Sequence, residues 1–138
     1  MPKGIFITLE GPDGSGKSTQ VENIRAYFVS NGREVVVSRE PGGTSISEKL
    51  RSIVLDNANA EMDDVTEMLI YAAARAQHVA EKIKPALERG AVVVCDRFVD
   101  SSIAYQGFGR NLGDQVSEVN RYATCGLEPD VTFFMDLD

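Results

Sequence analysis

Positive charge is scarce in this chain. Its 138 residues carry 14 Lys and Arg against 21 Asp and Glu, a formal net charge of -7. No run of like charge is long enough to form a polyanion-binding tail, which argues against nucleic acid as the partner. Cysteine is equally scarce. Cys95 and Cys125 stand in unrelated contexts with no CxxC spacing or Cys/His cluster, so neither a disulfide framework nor a zinc site is expected. The start, MPKGIFITLE, lacks a signal-peptide pattern, and no apolar run approaches membrane-spanning length. These absences predict a cytoplasmic protein with no membrane partner. Internal repeats and low-complexity segments are missing too. What remains, 43% hydrophobic and 25% charged residues, is the composition of a folded globular protein, and the length predicts one domain over residues 1–138. An acidic protein that handles anions must gather its few cations in one cleft, so the placement of each Lys and Arg is informative.

Short apolar runs alternate with helical periodicity along the chain. IFITLE, residues 5–10, is bounded by Gly4 and Gly11 and reads as a buried strand. From Lys17, the residues Val21, Ile24 and Phe28 recur at helical spacing until Gly32 supplies a stop. Residues 34–38 form a second buried strand. EPGGTS then breaks the chain before a helix with Ile46, Leu50, Ile53 and Val54 on one face. A longer helical stretch covers residues 63–88 and carries Met68, Leu69, Ala72, Ala76, Val79 and Ile83, with Pro85 marking a kink or a new helix start. Residues 91–95 and 131–138 are the third and fourth strands. Continuous apolar strands between helices predict an α/β fold, a parallel sheet covered on both faces. The chain stops at its fourth strand without the helix that normally follows, so it is expected to be C-terminally incomplete.

The loop after the first strand carries the clearest chemistry. GPDGSGKST spans Gly11, Pro12, Asp13, Gly14, Ser15, Gly16, Lys17, Ser18 and Thr19, and has the Gly-x4-Gly-Lys-Ser form of a P-loop. Glycines are needed there so that successive backbone N–H groups turn inward around a phosphate, with the positive end of the next helix behind them. Lys17 is placed to reach the β- and γ-phosphates of ATP, and the Ser18 hydroxyl to hold Mg2+. VVVCDR adds Asp96 at the C-terminal edge of a parallel strand, in the crevice where such folds bind nucleotides. Its carboxylate is a second candidate Mg2+ ligand, through water, or else a cap on the turn that follows.

Four further segments, SREPGGT, EKLRSIVL, YAAARAQH and DRFVDSSIAYQGFGR, together with EGPDGSGKST, resemble the thymidylate kinase family in its bacterial form. The resemblance runs in order through essentially the whole chain. It implies the P-loop nucleoside monophosphate kinase fold, a five-stranded parallel sheet flanked by helices in a homodimer, of which the last strand and the lid are missing here. It also implies transfer of the ATP γ-phosphate to dTMP, giving dTDP.

Residue by residue, the resemblance implies that Arg39, Glu40 and Arg51 surround the acceptor, with Arg51 gripping the dTMP phosphate. Arg97 resembles the arginine between the two phosphates, and Asp13 the carboxylate near the sugar 3'-hydroxyl. Ser101, Ser102 and Gln106 resemble the polar lining near base and phosphate. Tyr105 resembles the tyrosine packed where a ribose 2'-hydroxyl would intrude. Tyr71 and Arg75 are four apart on one helix and share a face, so one can stack on thymine while the other bonds its edge. The family usually has Phe at the stacking position. Taken singly, these side chains have ordinary readings too: Tyr71 as a core or interface aromatic, Arg51 and Arg75 as solvated, Ser101 and Ser102 as a cap. His78, alone on its helix, reads as structural.

A dTMP phosphate with a second pKa near about 6 is mostly dianionic at pH 7, so no general base is required. The work lies in aligning two anions and neutralising the transferred group. Family members carry one further cation, either in the P-loop or in a mobile lid. This P-loop has no basic residue besides Lys17, which implies the lid type, and the 138-residue chain is expected to turn over poorly without that lid. The alternatives are a P-loop kinase for another nucleotide or nucleoside, or a nucleotide-binding switch ATPase. A GTPase-type switch should carry Asn-Lys-x-Asp, which is absent from the sequence.

Overall fold

The structure is a computed structural model that describes residues 3–12, 14–98 and 114–135. Its strands are β1 (Ile5–Glu10), β2 (Val35–Arg39), β3 (Val92–Asp96) and β4 (Val131–Phe134). They form one parallel sheet in the order β2-β3-β1-β4. The expected α/β sheet is therefore present, and its centre is buried as a strand covered on both faces should be. Val92, Val93, Val94 and Cys95 are all fully buried.

Alternation along these strands feeds two cores. Phe6, Val93 and Cys95 pack with Val79, Ile83, Ala86 and Phe98, while Ile7, Leu9, Val92 and Val94 pack with Val21 of α1 (Lys17–Ser30). Cover on both faces stops at β4. Val131, Phe133 and Phe134 are exposed, and Val131 and Phe133 with Ile24, Tyr27 and Phe28 of α1 line an apolar trough along that edge.

Two strands run slightly further than their apolar residues, whereas β4 stops at Phe134, short of the expected 131–138, of which 136–138 lie outside the described residues. β2 and β3 include Arg39 and Asp96, because ladder bonds use backbone and are indifferent to the side chain. The register sets Asp96 between Leu9 and Arg39, so the C-terminal ends of β1, β2 and β3 share one edge.

Helices α2 (Ser45–Leu55) and α3 (Asp64–His78) pack together. The apolar face expected of α2 is split: Leu50 and Val54 are half-buried, whereas Ile46 and Ile53 are exposed. Ser47 is the buried residue: its hydroxyl donates to the Ala74 carbonyl of α3 at 2.7 Å, while its N–H donates to the Thr44 cap. The stretch 63–88 is divided. A π-helical turn, Val79–Ile83, separates α3 from α4 (Lys84–Glu88), and Pro85 sits in the first turn of α4. Proline lacks the N–H that a continuous α-helix would use at that point, and a wider turn accommodates it. A fifth helix, α5 (Gln115–Ala123), escaped the periodicity reading because only one of its buried side chains, Val116, is apolar: the next on that face is Asn120, with Thr124 just beyond. No helix among the described residues is long and apolar enough to cross a membrane.

Candidate active site

The glycine loop leaves β1 at its C-terminal end and enters α1. Gly14 (φ 81°) and Gly16 (φ 91°) adopt the left-handed backbone open to glycine, and alternation of this kind turns amides toward a common concavity. Gly16 caps α1 without a side-chain bond to it among the described residues, leaving first-turn N–H groups to face a ligand. Ser15 closes the loop by donating its hydroxyl to the Pro12 carbonyl at 2.7 Å. Lys17, only 6% exposed, donates to the Gly11 carbonyl at 2.7 Å and pairs with Asp96 Oδ1 at 3.1 Å. Gly14, Gly16, Lys17, Ser18 and Asp96 line a cleft of about 350 Å³. Thr19 lies on the exposed side of α1.

Asp96 is half-buried at the end of β3, where Arg97 turns the chain with φ 69° and donates its backbone N–H to Leu9 O at 2.8 Å. The next N–H, of Phe98, donates to Glu10 Oε2 at 2.8 Å. Glu10, the last residue of β1, thus helps fix the turn that presents Asp96 and Arg97. Cys95 beside them is no nucleophile: burial pushes its thiol well above the ordinary range, with the Glu40 charge adding to the effect and Arg75 opposing it.

A second cleft of about 600 Å³ adjoins the first and shares Ser18 and Asp96 with it, its other walls including Ser38, Arg39, Thr44, Glu48 and Lys82. Arg39 is exposed and donates to Glu48 Oε1 at 3.0 Å; the same oxygen accepts the Gly43 N–H at 3.1 Å. Arg51 of α2 is half-buried, and its Nε has no hydrogen-bond partner among the described residues. Glu40 and Arg75 lie deeper. Arg75, 5% exposed, donates from Nε to Glu40 Oε1 at 2.5 Å and from a terminal nitrogen to Asn120 Oδ1 of α5, and its guanidinium lies 5.1 Å from the Phe98 ring centroid. Tyr71, half-buried, stands one turn before Arg75 on α3. Asp13, Ser101, Ser102, Tyr105 and Gln106 lie outside the described residues.

The structure therefore brings Lys17, Ser18 and Asp96 into one cleft and Arg39 into the adjoining one, with Glu40 and Arg75 paired beneath. Side chains that the sequence reading passed over join them. Asn120 carried no signal, being on an unrecognised helix. His78 did carry one: it lies three residues after Arg75 and so shares its helix face. Its Nδ1 is 2.7 Å from Glu40 Oε2 and its Nε2 is 2.6 Å from Ser38 Oγ.

Residues 9–138 match the family model described as thymidylate kinase. The chain is 58% identical over 138 residues to the thymidylate kinase of Lactobacillus delbrueckii subsp. bulgaricus, which covers 99% of this chain and 65% of that protein. Against the thymidylate kinase of Clostridium novyi it is 50% identical over 139 residues, with 100% and 68% covered. The crystal structure of thymidylate kinase from Ehrlichia chaffeensis superposes with a TM-score of 0.88 at 39% identity, covering 99% of this chain and 78% of that one. The chain spans about two thirds of the length of these curated relatives, 65% and 68%.

Proposed function

The chain belongs to the thymidylate kinase family, and from that premise we propose that the protein transfers the γ-phosphoryl group of ATP to dTMP, giving dTDP. The observation that carries the reading is the shared wall: a P-loop cleft and a second cleft meet at Ser18 and Asp96. A donor in the first and an acceptor in the second would face each other across that edge, and alignment is what phosphoryl transfer chiefly requires.

Each site residue has its own work. The P-loop amides from Gly11 to Thr19 and Lys17 hold the ATP phosphates. Lys17 is held ready by Gly11 O and Asp96 rather than free to swing. The Ser18 hydroxyl and the Asp96 carboxylate fit Mg2+, which is held by few protein oxygens and keeps water and phosphate oxygens as its other ligands. Asp96 Oδ1 makes the 3.1 Å ion pair with Lys17 and has no further hydrogen-bond partner among the described residues, which leaves the carboxylate acceptor capacity for a cation or its water. When bound, the ion neutralises charge on the phosphates. Arg97 is assigned to the space between the two phosphates, and Arg51 and Arg39 to the acceptor phosphate; the unpartnered Nε of Arg51 supports its share. Tyr71 stacks on thymine and Arg75 bonds its edge, with Glu40 holding Arg75. Asp13, Ser101, Ser102, Tyr105 and Gln106 are assigned to the sugar, base and phosphate lining. Because the acceptor is already an anion, none of these groups needs to remove a proton.

The proposal includes a cytoplasmic homodimer that uses neither nucleic acid nor membrane. Ile46 and Ile53 of α2 with Val65 and Leu69 of α3, all exposed, support self-association. Chromatographic detection of dTDP after incubation with ATP, Mg2+ and dTMP tests the activity. The expected result is dTDP above a Lys17→Ala control, and preferential phosphorylation of dCMP or dGMP would contradict it.

A further inference from the structure

His78 is the only histidine in the sequence and is fully buried. Both ring nitrogens are engaged by residues of one strand end: Nε2 with Ser38 and Nδ1 with Glu40, two positions apart and so on one face. The other Glu40 oxygen accepts Arg75 Nε. A carboxylate paired with a guanidinium only accepts hydrogen bonds, so His78 Nδ1 carries the hydrogen and, in the neutral ring, Nε2 accepts from the Ser38 hydroxyl. The connected line runs from β2 through α3 to Arg75, and beyond it to Asn120 of α5.

The order Ser38, His78, Glu40 matches that of an acyl-transfer triad, but the setting does not. The imidazole is inaccessible, Ser38 is 7% exposed, and the acid is shared with Arg75. A separate feature shows that the neighbouring loop is shaped around the ring. A Cβ at Gly43 would stand 2.5 Å from two imidazole atoms and 2.9 Å from Ser38 Oγ, at a φ of +100°.

We propose that His78 is a positioning residue for base recognition: it fixes the Glu40 carboxylate, and through it the Arg75 guanidinium, before the nucleotide arrives. The inference rests on the thymidylate kinase reading, which gives Arg75 the thymine edge. An arginine ordered in advance loses less rotamer freedom on binding, so the gain falls on the acceptor and not on ATP, whose cleft is lined by other side chains.

The test is calorimetric titration of the whole chain, unaltered and as His78→Gln and His78→Asn, with dTMP and separately with ATP. Asparagine retains a donor near the Nδ1 position and glutamine does not. H78Q is expected to weaken dTMP binding about tenfold, the scale of one lost hydrogen bond, with ATP binding unchanged within about twofold. H78N should stay within about threefold of the unaltered protein for dTMP. Equal losses for dTMP and ATP, an unaffected H78Q, or H78N losing as much as H78Q would each overturn the inference. If H78Q does not fold, Ser38→Ala decides: a selective, severalfold loss of dTMP affinity supports it, and no change overturns it. Failure of the unaltered protein to bind dTMP would overturn the family reading and this inference together, whereas dTMP binding that H78Q leaves intact overturns the inference alone.

Discussion

Two buried cations, Lys17 and Arg75, sit in different electrostatic settings. Lys17 pairs with an Asp96 that is 37% exposed, so water and ligand can still reach the pair. Arg75 pairs with a Glu40 that is almost wholly buried, and its partners hold it from two sides. Truncating it leaves a buried carboxylate with only His78 opposite. Arg75→Met is therefore expected to cost on the order of 3–5 kcal/mol in urea denaturation, the scale for a buried pair with one partner removed. A loss under about 1 kcal/mol would show that Glu40 is not the buried anion described here. Lys17→Ala removes the only P-loop side-chain cation, and ATP affinity should fall at least about tenfold with little change in stability. The thiols give a third check at this scale. Cys95 should resist iodoacetamide at pH 8 in the folded protein while exposed Cys125 reacts, because burial holds the Cys95 thiol in its protonated form. The P-loop was legible because its chemistry is written in nine consecutive residues. The Glu40–Arg75–Asn120 line was not, because its bonds span 35 and 45 positions and no local pattern announces them.

Among elements, the central strands were legible and two helices were misjudged. β3 is a nearly continuous apolar run and β1 is broken only by the buried Thr8 and Glu10, because both faces of these strands are covered. α2 misled because Ile46 and Ile53 face outward and Leu50 and Val54 are only half-buried, while a serine makes the buried contact. Ser47→Ala should therefore destabilise the protein by about 1–3 kcal/mol, leaving the Ala74 carbonyl without its side-chain donor. An effect within about 0.5 kcal/mol, usual for surface changes, would show that α2 does not depend on that bond. α5 was hidden by Asn120, a polar side chain fully buried by its bonds to Arg75 and to the Val116 carbonyl. Gly43 belongs to this scale as well. Gly43→Ala would press on the imidazole and force a left-handed backbone on alanine, so a loss of a few kcal/mol in the same assay is expected.

Across the whole molecule, the parallel register brings the C-terminal ends of three strands to one edge, and what emerges there is the P-loop, the β2 loop with Glu40, and Asp96 with Arg97. Shortage of positive charge becomes a matter of placement. A chain of net charge -7 keeps Lys17, Arg39, Arg75 and Arg97 at or beneath that edge, and for the two buried ones, Lys17 and Arg75, low dielectric strengthens the charge. The fold was legible from element order. The contiguity of the two clefts was not, because it depends on register. The central claim is that the protein reads a thymine nucleotide through Arg75. Calorimetric titration of the chain with dTMP, and with dCMP under the same conditions, tests it most directly: cytosine keeps the ring and the phosphate but changes the edge. The account predicts saturable dTMP binding at least about tenfold tighter than that of dCMP, since a site built to hydrogen-bond one edge is left unpaired by the other. Equal affinity for the two nucleotides, or no binding of dTMP, would contradict it.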